Sequence, residues 1–157
     1  MTEILLVITG VLTALLAGVF FGYSVSVNGG LHRLDDKAYV QAMQHINVVI
    51  INPLFMLTFM GPVALLPLVT WLTWSDGTMR SMLLAAASFL YIVGVFAVTG
   101  SGNVQLNNQL ATVDAESADV AEARKRFEPL WNRLHTIRTV AAVLATVLVF
   151  AAGVTHG

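Results

Sequence analysis

The sequence predicts an all-α fold: an integral membrane four-helix bundle, forming a single transmembrane domain with a cytoplasmic extension of the last helix. Three observations predict it. The 157 residues are 57% hydrophobic and only 11% charged, and a mean hydropathy of +0.77 exceeds what the surface of a soluble domain tolerates. Four apolar runs, Ile4 to Val27, Ile46 to Trp74, Met79 to Thr99 and Trp131 to Val154, each reach the roughly 20 residues that cross a hydrocarbon core of about 30 Å. The basic residues are also unevenly placed. Arg33 and Lys37 lie between the first two runs, and Arg124, Lys125, Arg126, Arg133 and Arg138 lie before or at the start of the fourth, against Arg80 alone on the opposite side. The positive-inside rule then puts both termini outside and the two longer connections in the cytoplasm.

The first helix, expected over residues 4–27, has an apolar run too long for a signal peptide and lacks a basic n-region, so it reads as a retained span. Ala14, Gly18, Gly22 and Ser26 recur every four residues, a smooth stripe that can seat a neighbouring helix or a second copy in a homo-oligomer. "VNGG", Val27 to Gly30, offers a glycine C-cap, and Asp35 or Asp36 can cap the next helix.

The second helix, expected over 39–74, opens on the polar "YVQAMQHINVVIINPLF". At 100° per residue Gln41, Gln44, His45, Val48, Ile51, Asn52 and Phe55 share an arc of about 120°, with Asn47 beside it. Amides in hydrocarbon must find partners, so this face is expected to turn inward or to a wet cavity. Pro53, Pro62 and Pro67 each remove a backbone donor and are expected to bend the helix.

The third helix, expected over 79–101, runs into "TGSGNVQLNNQLA", whose glycines are expected to end it, leaving Asn103, Gln105, Asn107 and Asn108 at the mouth of the bundle. The fourth, expected over 116–154, begins among good helix formers and is expected to bend at Pro129. Trp131, His135 and Arg138 fall within about 60° of arc on it. An arginine two turns into an apolar helix faces protein, water or an anion, because an unpaired guanidinium in lipid is costly.

Several function classes drop out. Cysteine is absent, which removes disulfides, thiolate nucleophiles and Cys-ligated metals, and no metal site is expected. A net charge of -1 argues against nucleic acid as a partner. No carboxylate lies in the apolar core, which argues against a proton-coupled transporter, a di-iron site or a hydrolase with paired acids. What remains is a donor-rich pocket suited to an apolar molecule carrying a few oxygens, with a membrane lipid environment around it.

The Asn52-Pro53 step, "N-x-x-x-N-N-x-L" (Asn103, Asn107, Asn108, Leu110) and "F-E-x-x-W-x-x-x-H-x-x-R-T" (Phe127, Glu128, Trp131, His135, Arg138, Thr139) together resemble the anthrone oxygenase-like family, DUF1772, over nearly the whole chain. The resemblance implies a bacterial inner-membrane protein and a cofactor-free oxidation of an anthrone-like aromatic by O2 in a cytoplasm-facing pocket. On that reading His135 takes the acidic methylene proton, Arg138 with Asn103 and Asn107 stabilises the oxyanion, and Trp131 stacks on the rings. Asn52, Asn47, Gln44 and Asn108 complete the substrate-binding set. Two alternatives stay open at this point: a non-enzymatic membrane subunit or lipid- and small-molecule-binding bundle, and a haem b held between His45 and His135.

Overall fold

The computed structural model describes residues 1–75 and 78–155. Among them it is all-helical, with no strand. Five helices follow in order: α1 (Thr2–His32), α2 (Asp36–Val49), α3 (Pro53–Leu72), α4 (Met79–Ala111) and α5 (Val120–Val154). All but α2 are long and apolar enough to cross a membrane. α1 packs on α3 and α5, and α4 closes the ring against both. Leu16, Leu66, Tyr91, Val95, Ala142 and Val149 fill the centre. Large apolar side chains such as Val7, Leu57, Phe89 and Leu144 point outward, the arrangement expected when the solvent is hydrocarbon rather than water.

Threonine hydroxyls inside this bundle return to their own helix, while Tyr91 donates across to the Phe59 carbonyl at 2.9 Å. Thr9 donates to the Leu5 carbonyl at 2.7 Å, and Thr13 to that of Thr9 at 3.0 Å, so neither hydroxyl faces the apolar core unpaired. α4 and α5 approach closely at Gly94, where a Cβ would sit 2.5 Å from that of Ala141. Neither side can yield without moving backbone. Gly94→Ala is therefore expected to cost about 1–3 kcal/mol by overpacking, read as a lower unfolding midpoint in detergent; an unchanged midpoint would show that the contact relaxes freely.

Several expected boundaries move. The helix expected over 39–74 is two helices, because Ile50–Asn52 leave the helical path. Asn52 adopts φ -126°, ψ 162° and caps α3, accepting from Phe55 N at 3.0 Å, while Pro53 takes the first helical position. A residue before proline is pushed out of the α region, and asparagine followed by proline is a strong helix start. Gly29 and Gly30 do not end α1, and Gly100 and Gly102 do not end α4, which continues to Ala111. An interrupted helix leaves carbonyls unpaired, which is costly in so apolar a segment, and the chain keeps its helical hydrogen bonds through the glycines. At Gly102 the missing side chain serves packing instead, since a Cβ there would meet Leu134 Cδ1 at 2.6 Å. α5 begins at Val120 and carries Pro129 within one continuous helix. The stripe on α1 is not a packing face of the bundle: nothing lies within 4 Å of a Cβ on Gly18 or Gly22.

Asp35 caps α2 as expected, accepting from Ala38 N at 2.8 Å. Next to it Arg124 ties the α1–α2 turn to α5. It donates to Glu128 at 2.8 Å, to Asp36 at 3.0 Å, and to the Leu34 and His32 carbonyls at 2.7 and 2.9 Å. His32 Nδ1 closes the network on Glu128 at 2.7 Å. Arg124 and Glu128, which helical periodicity aligns with Trp131 and His135, thus serve the end of the bundle and not its interior.

Candidate functional site

A cavity of about 290 Å³ lies between the start of α3 and the helices around it, and every helix contributes to its wall. α1 brings Phe20 and Tyr23, α2 brings Asn47, α3 brings Phe55 and Phe59, α4 brings Asn103 and Asn107, and α5 brings Trp131, His135 and Arg138. The α5 trio shares one face because its members are spaced four and three residues apart. On α1 and α4 the backbone opens into π-helical turns at Tyr23–Val27 and Thr99–Asn103. Such turns shift the residues beyond them around the helix and recur at functional sites. Tyr23 begins the first turn and Asn103 ends the second, and both line the cavity.

The rings form a continuous stack. Phe127 lies on Trp131 with centroids 6.2 Å apart, and Trp131 on His135 at 5.0 Å with 12° between planes. Tyr23 meets both Trp131 and His135, at 5.4 and 5.3 Å. The Arg138 guanidinium sits between aromatic faces, its Cζ 4.5 Å from the centroid of Phe20 and 5.1 Å from that of Trp131, a favourable place for a cation out of water. Trp131 Nε1 donates to Asn107 Oδ1 at 2.9 Å, and Asn103 Nδ2 to the Trp131 carbonyl at 3.3 Å.

The hydrogen bonds of His135 fix its tautomer. Arg138 Nε and Nη2 lie 3.2 and 3.0 Å from Nδ1, and a guanidinium can only donate. Nε2 lies 3.1 Å from the Phe20 carbonyl, which can only accept. The proton is therefore on Nε2 and the lone pair on Nδ1, with that lone pair covered by Arg138. The lone pair expected to take a substrate proton is accordingly engaged by Arg138.

Two further features point into the space. Arg138 is 8% exposed, and among the described residues no carboxylate pairs with it. Asn47 Nδ2 and Asn103 Oδ1 are buried without a hydrogen-bond partner, which leaves a donor and an acceptor ready for a ligand.

A family model described as anthrone oxygenase matches residues 55–148, more than half of the chain. The chain belongs to the anthrone oxygenase family. No curated protein and no solved structure matches it. The anthrone oxygenase match covers the cavity residues of α3, α4 and α5; Phe20, Tyr23 and Asn47 come from the part before it.

Of the residues singled out from sequence, His135, Arg138, Asn103, Asn107, Trp131 and Asn47 converge on the cavity. Three do not. Asn52 is spent as the cap of α3, Gln44 donates to the Leu110 and Val113 carbonyls, both at 2.9 Å, and Asn108, about 100° around α4 from Asn107, is exposed and does not line the cavity. Each is polar near the mouth, yet helix phase or backbone demand claims it first. His45 is exposed on α2 and does not share the cavity with His135. Sequence reasoning missed Phe20, Tyr23 and Phe59, while Phe55 lies on the arc expected to face inward; for Phe20 and Tyr23 the signal was the "FFGY" cluster late in an aliphatic helix.

Proposed function

We propose that this chain is an integral membrane oxygenase that binds a flat, apolar aromatic ketone in the cavity and oxidises its acidic methylene with O2. The observation that carries the reading is Arg138: a buried guanidinium, paired with no carboxylate among the described residues, on the wall of an aromatic cavity. Such a group is a standing site for an oxyanion. The uneven basic residues support α2 and the α4–α5 turn on the cytoplasmic side, with both termini outside.

The chemistry follows from the substrate class. A methylene between two aryl rings of such a ketone is acidic because its anion is delocalised onto the carbonyl oxygen. Arg138 turns from His135 to that oxygen, and the move uncovers Nδ1 to take the methylene proton. The electron-rich anion passes one electron to O2, giving superoxide and a carbon radical that join into a peroxide. His135 returns the proton to the peroxide oxygen. Loss of the second methylene hydrogen with cleavage of the O–O bond then releases water and leaves a carbonyl. One ketone and one O2 give one quinone and one water, and the substrate itself supplies the electrons.

The test is oxygen uptake by detergent-purified protein given a simple anthrone, after its visible spectrum is recorded. Uptake of one O2 per anthrone above the spontaneous rate, in a protein without a Soret band, is expected. Uptake no faster than the spontaneous rate would overturn the oxygenase reading. Quenching of tryptophan fluorescence by anthrone without turnover would favour a binding bundle, which the covered Nδ1 of His135 also suits. Asn47→Leu is expected to keep or raise the unfolding midpoint, because it removes an unpaired buried donor, and to weaken anthrone affinity about tenfold for one lost hydrogen bond. A lower midpoint with unchanged affinity would assign that amide to the fold.

A further inference from the structure

We infer that the cavity is loaded sideways from the bilayer, so that its ligand is a membrane-dissolved molecule that enters with its oxygen-bearing end first. The inference rests on the membrane reading above and not on the oxygenase chemistry, since it concerns access alone. It replaces the expectation of a pocket open to the cytoplasm.

The cytoplasmic end is closed. α2 lies across it, and Tyr39, Val40 and Met43 pack with Leu110, Phe127 and Trp131 in one buried cluster. Tyr23 donates to Met43 Sδ at 3.2 Å, and Gln44 pins α2 to the end of α4 through the Leu110 and Val113 carbonyls. Arg124 holds the α1–α2 turn onto α5. A ligand arriving from water on that side would have to unpack this roof.

The side is open. Ile51, Met60, Val104 and Val19 line the cavity and are themselves 71%, 41%, 40% and 46% exposed, on the outer surface of the bundle. All four are apolar, as a mouth facing hydrocarbon requires and as a mouth facing water does not. The helix break at Ile50–Asn52 makes the gap, because α2 turns away there and leaves the first turns of α3 uncovered. Polarity then rises inward, from this rim to Asn47, Asn103 and Arg138. A flat molecule with one polar end is drawn in by that end and stays stacked on Trp131.

The absence of cysteine from the sequence allows a direct test. In a Trp71→Phe, Trp74→Phe background Trp131 is the sole tryptophan, and both replaced rings are exposed, remote from the cavity lining. The protein is placed in phosphatidylcholine vesicles containing anthraquinone, and quenching of Trp131 is followed before and after N-phenylmaleimide is attached to a single cysteine. The attachment site is Ile51→Cys or Val104→Cys at the rim, or Ala118→Cys in the exposed turn before α5. Unlabelled variants must be quenched like the parent, which controls for folding. Labelling at the rim is expected to slow quenching about tenfold or more, and labelling at 118 to leave it unchanged. Water-soluble anthraquinone-2-sulfonate is expected to quench weakly. The inference is overturned if label at 118 blocks quenching, if the sulfonate quenches as fast as the neutral ketone, or if no quenching occurs. Oxygen uptake on the same samples reads the catalytic proposal separately.

Discussion

Arg138→Met is expected to lower anthrone-dependent oxygen uptake by about 10²–10³-fold, the usual effect of removing one oxyanion donor set from a water-excluded site. The side chain is placed for that role twice over. Its Nε and Nη2 hold His135 Nδ1, while among the described residues Nη1 has no hydrogen-bond partner. Methionine keeps an unbranched stem of similar length between Phe20 and Trp131, so the packing survives. Removing a buried charge that no carboxylate among the described residues balances leaves stability unchanged or raises it, and the unfolding midpoint is expected to hold within a few degrees. Arg138→Lys separates charge from shape. Lysine keeps the charge but loses the planar fork that can serve His135 and a ligand oxygen in turn, so its rate is expected to fall between the other two. Uptake within tenfold of wild type for Arg138→Met would sink the oxyanion assignment.

Helical period is the part of this fold most legible in the sequence, and local exceptions of the backbone are the least legible. Trp131, His135 and Arg138 meet because a period of 3.6 leaves no alternative once α5 is a helix. Asp35 caps α2 because an aspartate before a helical run has little else to do. Asn52 misleads for the opposite reason. On a helical wheel it continues the polar face of Gln44 and Asn47, and only the following proline shows that the wheel stops there. The glycines of "VNGG" and "TGSGN" mislead because their reading as terminators belongs to water, where a broken helix can hydrogen-bond to solvent. Tyr23 and Asn103 stand in π-helical turns, which carry no residue pattern of their own. The orphaned donor and acceptor at Asn47 and Asn103 depend on which partner each amide finds in space.

His135→Ala carries the second large effect, and it separates a base from a strut. As the base, His135 should be worth about 10²–10⁴-fold in rate at neutral pH. Its loss should be largely offset in two ways: by raising the pH until the anthrone ionises unaided, and by adding imidazole, which fits the space beside Trp131 that the ring leaves. Neither treatment should restore Arg138→Met, because a pre-formed anion still needs its counter-charge. If His135 only steadies Arg138, His135→Ala should instead behave like a mild form of Arg138→Met, with weaker anthrone binding and no response to imidazole or pH. Both roles share one tautomer: the Phe20 carbonyl at 3.1 Å holds the proton on Nε2, and the Nδ1 lone pair that steadies Arg138 is the one a base would use. Imidazole rescue and the pH profile therefore separate base from strut where the resting hydrogen bonds do not.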